Sequence, residues 1–376
     1  MTIIKQTDFI QSIQDALQYI SYYHPADYIQ ALGAAYKLEQ SPAAKDAIAQ
    51  ILTNSRMCAE GKRPICQDTG IVVAFVKVGM NVKFEGSLSL EEMVNEGVRR
   101  AYLLPDNKLR ASIVNDPAGL RKNTKDNTPA VTHVELVLGD TVEVSIAAKG
   151  GGSENKAKMA MLNPNDSIVD WILETVPTMG AGWCPPGMLG IGIGGTAEKA
   201  MVMAKESLMQ PIDMHELKQK AAQNAENLTK IEELRLEIYE KVNNLGIGAQ
   251  GLGGLTTVLD VKILDYPTHA ASLPVAIIPN CAATRHIHFT LDGTGAAELT
   301  PPDLSTYPDV HWQPSAHSRK VNLDTVTKAE TQTWATGETL LLTGKILTGR
   351  DAAHKRIKTM LAKGEKLPVD FSNKFI

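Results

Sequence analysis

Three cysteines stand where a thiolate could do chemistry rather than fill space. They are Cys66 in KRPICQDTG, Cys184 in GAGWCPPGM and Cys281 in AIIPNCAATR. Cys184 sits between Gly182-Trp183 and Pro185-Pro186, a run that neither a helix interior nor a central strand accepts, because proline lacks an N–H and fixes φ. All three lie in or beside loops carrying Pro, Gly or Asn, and loop amides can donate to sulfur and offset its negative charge. If they share one group, three thiolates around a four-iron cubane leave one iron open. That is the open-site arrangement of Lewis-acid catalysis, whereas an electron-transfer cluster is normally closed by four cysteines. A lone cysteine is otherwise a small buried hydrophobe. That account suits Cys58, within a helical pattern beside Met57 and Ala59. Spacing alone leaves it open for the other three as well, since no CxxC pair is present.

Polar groups cluster near these cysteines. Gln67 and Asp68 follow Cys66 directly, and a carboxylate beside a cluster thiolate is placed to move a proton; an Asp ahead of Thr69-Gly70 is also an ordinary turn residue. KGGGSENK, residues 149–156, leaves a strand through three glycines, so exposed amides and two lysines make an anion site for a carboxylate or phosphate. Arg110, in a polar loop, and Arg350, in TGRDAAHKR, are candidates for bidentate carboxylate binding. His269 precedes the strand leading to Cys281; His286 and His288 alternate along its continuation and suit structural roles. Gly190, Gly192 and Gly195 fit GxGxxG, but the following helix runs into Pro211 and another helix, so the βαβ unit of a nucleotide site is missing.

These residues need elements to position them. Apolar residues at helical spacing predict helices over 7–22, 24–40 and 43–59, a small opening bundle. A buried strand is expected at 71–79, a helix at 90–102, and a hairpin over 131–148 turning at Gly139-Asp140. A helix over 166–179 capped by Asp166, a strand at 189–193, helices over 196–208 and 213–243, and strands at 256–264 and 274–290 follow. Residues 291–325 are proline-rich and read as a linker; a strand at 340–348 and a helix at 351–363 come after it. The expected division is 1–290, a linker over 291–325, and 326–376. The last piece is too small for an independent core and reads as the incomplete start of a second domain.

The chain has 376 residues, 43% hydrophobic but only 5% aromatic, so a large core built from Ala, Val, Ile, Leu and Met is expected. A net charge of -4 without a basic tract argues against nucleic acid. No stretch has the form of a signal peptide or a membrane span. Four cysteines in this length do not make a disulfide framework, and a reduced, cytoplasmic protein is the expectation.

Together, ICQDTG, LRASI, AAKGGGSENKAKMAML, GAGWCPPGMLGIGIGGTAEKA, THAASLPVAIIPNCAATRH and TGRDAAHKR resemble the class I fumarate hydratases and the related L-tartrate dehydratases over essentially the whole chain. The resemblance implies an α+β fold: a helical N-terminal bundle with mixed β-sheets around a cluster site, then the start of a small β/α C-terminal domain. It implies a hydro-lyase of the tricarboxylic acid cycle that interconverts fumarate and S-malate on a [4Fe-4S] cluster. Cys66, Cys184 and Cys281 would be the ligands, and Gln67, Arg110, Gly152 and Arg350 would line the dicarboxylate. Asp68, assisted by His269, would protonate the departing hydroxyl. A homodimer, or a separate β subunit, is implied as partner. The family continues into a GPTTSxRM-like motif and a late lysine, absent here, so the base that takes the C3 proton is expected outside this sequence.

Overall fold

The strand Ile71–Gly79 (IVVAFVKVG) is apolar on both faces, so it can be stable only between two neighbours and under cover on each side. The computed structural model places it there. It describes residues 1–107, 109–310, 312–349, 351–372 and 374. The elements run β1 (Thr2–Lys5), α1 (Gln6–Tyr22), α2 (Ala26–Leu38), α3 (Pro42–Gly61), β2 (Ile71–Gly79), β3 (Val82–Glu85), α4 (Leu90–Leu103), β4 (Val114–Asn115), β5 (Lys122–Asn123), β6 (Val131–Val137) and β7 (Val142–Lys149). They continue with α5 (Gly151–Glu154), β8 (Lys158–Leu162), α6 (Ile168–Thr178), β9 (Gly187–Gly194), α7 (Ala197–Ser207), α8 (Met214–Gln223), α9 (Lys230–Asn244), β10 (Val258–Tyr266), β11 (Leu273–Asn280) and β12 (His286–Leu291). The chain divides into two compact units, Met1–His311 and Trp312–Ile376.

The first unit contains two mixed four-stranded sheets. In the first, ordered β12-β7-β2-β6, β2 runs parallel to β6 and antiparallel to β7. The expected β6–β7 hairpin is therefore absent: β2 lies between the two strands. The Gly139-Asp140 connection crosses the end of β2, where Met80 N donates to Val137 O and Gly79 N to Thr141 O, both at 2.9 Å. A strand apolar at all but Lys77 outcompetes the local turn because it has two edges to satisfy. Val72, Ala74 and Val76 on one face pack with Phe9, Ile13 and Leu17 of α1 and Val94 and Val98 of α4. Val73 and Phe75 on the other meet Met209.

The second sheet, β10-β9-β11-β8, places Leu189, Ile191, Val261 and Ile277 under α6 and α9. Its other face holds α7, and the glycine run of β9 makes that possible. A Cβ at Gly190 would stand 2.2 Å from the carbonyl oxygen of Ala204, and one at Gly192 2.0 Å from that of Ala200. The glycines let a helix lie on the strand, which accounts for the GxGxxG string without a nucleotide. Gly192→Ala should therefore cost about 2–3 kcal/mol, the upper range for overpacking, since the obstacle is backbone. The denaturation midpoint should fall at unchanged m-value; an unmoved midpoint would mean that α7 is not seated on β9.

Other boundaries differ from the sequence expectation for local reasons. The helix expected over 213–243 is two, because Thr229 and Glu232 form a capping box that starts α9 afresh. Ser167, not Asp166, caps α6, accepting from Asp170 N. The strand expected over 274–290 breaks into β11 and β12, which belong to different sheets, and Cys281 lies at the corner. Of residues 291–325, Leu291, Ala297 and Leu299 pack on the first core, and Tyr307 and Val310 are buried.

The second unit, by itself, pairs β13 (Arg319–Asn322) in parallel with β14 (Leu340–Thr343) and adds the helices α10 (Lys328–Thr331) and α11 (Asp351–Ala362). No helix of the described residues is long and apolar enough to cross a membrane.

Candidate active site

The loop between α3 and β2 carries Cys66, Gln67 and Asp68. It is anchored before the cysteine, where Ile65 N donates to Ser21 O at 2.8 Å and Asn54 Nδ2 to Ile65 O at 3.1 Å. After it, Thr69 donates its hydroxyl to the carbonyl of Arg110, and Tyr102 donates to Thr69 O at 2.9 Å. Cys66 and Asp68 are half-buried and Gln67 is exposed. Asp68 closes its own turn, Oδ1 accepting from Gly70 N at 3.0 Å, while Oδ2 accepts from Gly151 N at 2.8 Å. The turn role and the site role thus belong to the same side chain, one oxygen each. Gly70, at φ 82, brings β2 against β7, where a Cβ would stand 2.8 Å from the Lys149 carbonyl.

Asp68 therefore ties the first cysteine loop to the triple-glycine turn after β7. Gly152, next in that turn, would direct a Cβ to 3.1 Å from the carbonyl oxygen of Gly182, so the turn also touches the loop of Cys184. That loop is held from below by Trp183, which is fully buried under the second sheet. Cys184 is exposed and has φ 58, a left-handed conformation that costs a residue with a Cβ about 1–2 kcal/mol. Ala282 N donates to Cys184 O at 2.9 Å, joining the second cysteine loop to the third. Gly187 allows this approach, since a Cβ there would lie 1.9 Å from the carbonyl oxygen of Asn280. Cys66, Asp68, Gly152, Cys184 and Cys281 are thus successive neighbours around one locality, although they lie far apart in sequence.

Arg110 comes into the same locality through its carbonyl, and its side chain is exposed. Asn127 fixes the polar loop there: wholly buried, it donates to Gly70 O at 3.0 Å and accepts from Ser112 N at 2.8 Å. His269 is not brought to the others. It lies on the exposed β10–β11 connection, beyond the end of β9 opposite to Cys184, and its Nδ1 accepts from Ala271 N at 3.1 Å. The eight residues of β9 separate it from the cysteines by roughly 25 Å at ordinary strand rise. Proximity to Cys281 in sequence was misleading because β11 spans that distance. Arg350 lies outside the described residues. His288 is structural, bridging Ser145 Oγ at 2.7 Å and Met209 O at 2.6 Å.

Several groups not singled out from sequence line this locality. His24 bridges Ser55 Oγ at 2.8 Å and Ala282 O at 3.0 Å behind Cys281, and burial pushes its pKa down to about 4, so it supports that loop as a neutral ring. Lys149 is almost wholly buried, hydrogen-bonded to Ser153, and pushed down to about 8, chiefly by burial. Arg285 is 3% exposed and follows Cys281 at the corner. The arginine in NCAATRH was the available signal for it. Cys58, by contrast, is buried in α3, and burial raises its thiol pKa. Among the described residues, no three His, Cys, Asp or Glu side chains are set to hold a single metal ion.

Residues 10–290 match the family described as Fumarate hydratase (Fumerase), and residues 293–376 that described as Fumarase C-terminus. The putative L(+)-tartrate dehydratase subunit alpha of Methanocaldococcus jannaschii is 37% identical over 70% of this chain and 90% of its own length. The anaerobic class I fumarate hydratase of Escherichia coli K12 is 31% identical over 92% of this chain, which spans only 64% of that relative. The L(+)-tartrate dehydratase subunit alpha of Escherichia coli O157:H7 is 30% identical over 69% of this chain and 83% of its own length. With a family match over most of its length and a relative covered almost completely, the chain belongs to the fumarate hydratase family of hydro-lyases.

Proposed function

We propose that this chain hydrates fumarate to S-malate, reversibly, on a [4Fe-4S] cluster carried by Cys66, Cys184 and Cys281. The observation that carries this is the convergence of three thiol loops on Asp68 and the triple-glycine turn, with Ala282 N on Cys184 O and Gly151 N on Asp68 Oδ2 as the joints. The residues fit the cofactor. Thiolates suit iron–sulfur chemistry, a cubane spans more than a single ion does, and the half-buried and exposed sulfurs border a locality with buried positive charge. When bound, the cluster supplies a Lewis-acidic iron with a position open to the substrate's hydroxyl.

The chain's own residues do the rest. Asp68 is held by two amide donors at fixed geometry, so its carboxyl group can give a proton to the departing hydroxyl and recover it in hydration. Arg110, Gln67 and Gly152, all exposed, are the residues assigned to the substrate's carboxylates. The base for the C3 proton is not among the residues gathered here, and the family's C-terminal part or a β subunit would provide it. His269, placed away from Cys184 and Cys281 in this chain, is assigned to act from the second copy of a homodimer.

L-Tartrate dehydration is the second reading, favoured because two of the relatives bear that name. The chain, reconstituted anaerobically with ferrous iron and sulfide, should take up iron and show the absorbance of a cubane. Fumarate, S-malate and L-tartrate then form the substrate panel, with and without a family β subunit. Turnover of fumarate in preference to tartrate is expected; absence of iron uptake would overturn both readings.

A further inference from the structure

We propose that Arg285 is a positioning residue whose buried guanidinium supplies the positive charge opposite the Cys281 thiolate and the cluster assigned to it. This rests on the cluster reading above.

Arg285 is 3% exposed, and its carbonyl accepts from Ala148 N at 3.0 Å, which fixes it beneath the triple-glycine turn. Its Nη2 lies 3.6 Å from where a Cβ of Gly150 would stand, and Asp68 Oδ2 lies 3.4 Å from the same point. The guanidinium is therefore a near neighbour of the candidate proton donor. Yet no hydrogen-bond acceptor or carboxylate among the described residues pairs with it, and its Nε is buried without a partner. Among the described residues, the buried lysines are paired: Lys262 with Asp213 and Asp260, and Lys149 with Ser153, 3.9 Å from Glu154. An uncompensated guanidinium in the interior is costly, so the fold containing it calls for an anion.

That anion is not the diacid itself. At 3% exposed, Arg285 offers almost no surface to a substrate arriving from solvent. The cavity beside it, shared with Lys149, Asn280 and His286, is about 10 Å³, room for about one water. The anion has to be one that the chain itself carries, and the neighbouring Asp68 has each oxygen committed to a backbone amide, Gly70 N and Gly151 N, and makes no ion pair with Arg285. Cys281 stands four residues before Arg285 at the same β11–β12 corner, and a cluster bound by thiolates is negatively charged.

The test compares wild type, Arg285→Met and Arg285→Lys, each reconstituted anaerobically, by iron and sulfide retained against a chelator, and separately by the melting temperature of the cluster-free chains. Arg285→Met should retain the cluster about 10–100-fold less well, the usual cost of an outer partner of a metal site. Its cluster-free form should melt at or above wild type, because an unpaired buried charge has been replaced by an apolar chain of similar length. Arg285→Lys, which keeps the charge, should retain more cluster than Arg285→Met. Retention equal to wild type in Arg285→Met, a lower melting temperature of its cluster-free form, or equal loss in both variants would overturn the proposal. Wild type that takes up no iron would instead remove the cluster reading, and this role with it.

Discussion

Cys184→Ser is expected to lose the fourth-iron chemistry altogether. Bound iron should fall well below wild type, and fumarate hydration should drop by more than the roughly 100-fold that loss of an outer metal-site partner can cost. Serine is nearly isosteric but is neither deprotonated at neutral pH nor a soft ligand, so it cannot replace a thiolate toward iron. The backbone adds a second signature. Cys184 is exposed and held at φ 58, between a buried Trp183 and the pair Pro185-Pro186. Cys184→Gly should therefore abolish iron binding and yet stabilise the cluster-free chain by about 1 kcal/mol, since glycine adopts positive φ without strain. Cys58→Ala is the contrast: that thiol is buried in α3 near Asn54 and the Pro64 carbonyl, and its loss should leave iron content unchanged. Normal iron and full hydration in Cys184→Ser would end the assignment.

Much of this locality was legible in the residues, and the parts that were not share a cause. Short-range chemistry could be read: the prolines around Cys184, the apolar run of β2, the glycines leaving β7, and the apolar spacing of α1 to α3 all dictate local conformation. Long-range pairing could not. Gly139-Asp140 is a good turn by itself, and only the demand of β2 for two neighbours separates β6 from β7. His269 precedes Cys281 by only 12 residues, yet an extended β11 carries it to the other end of the sheet. Arg285 escaped notice because an arginine after a cysteine is ordinary in sequence; its burial without a counter-charge is a property of the folded chain alone. Asn127 is a similar case, at φ 63 in a loop whose purpose is visible only when its amide is seen holding Gly70 and Ser112.

Asp68→Asn is expected to lower hydration of fumarate by about 10²–10⁴-fold, the usual contribution of a positioned general acid or base, while iron content stays near wild type. Asparagine keeps the shape and one acceptor oxygen but cannot deliver a proton. It also cannot serve both amides. In the native chain Gly70 N and Gly151 N each donate to a separate oxygen of Asp68, at 3.0 and 2.8 Å. With an amide, one of those donors would face an NH2 group, so the turn must either flip or leave an N–H unpaired, at about 1–3 kcal/mol. The variant should therefore melt earlier as well as react slowly, and the two effects can be separated. Asp68→Ala removes both acceptors and should destabilise at least as much. A merely structural Asp68 would make activity follow the folded fraction, and both variants would regain full turnover at low temperature, where the chain is fully folded. A catalytic Asp68 leaves them slow there, with KM for fumarate little changed, because the carboxylates of the substrate are held by other residues and only the proton is missing.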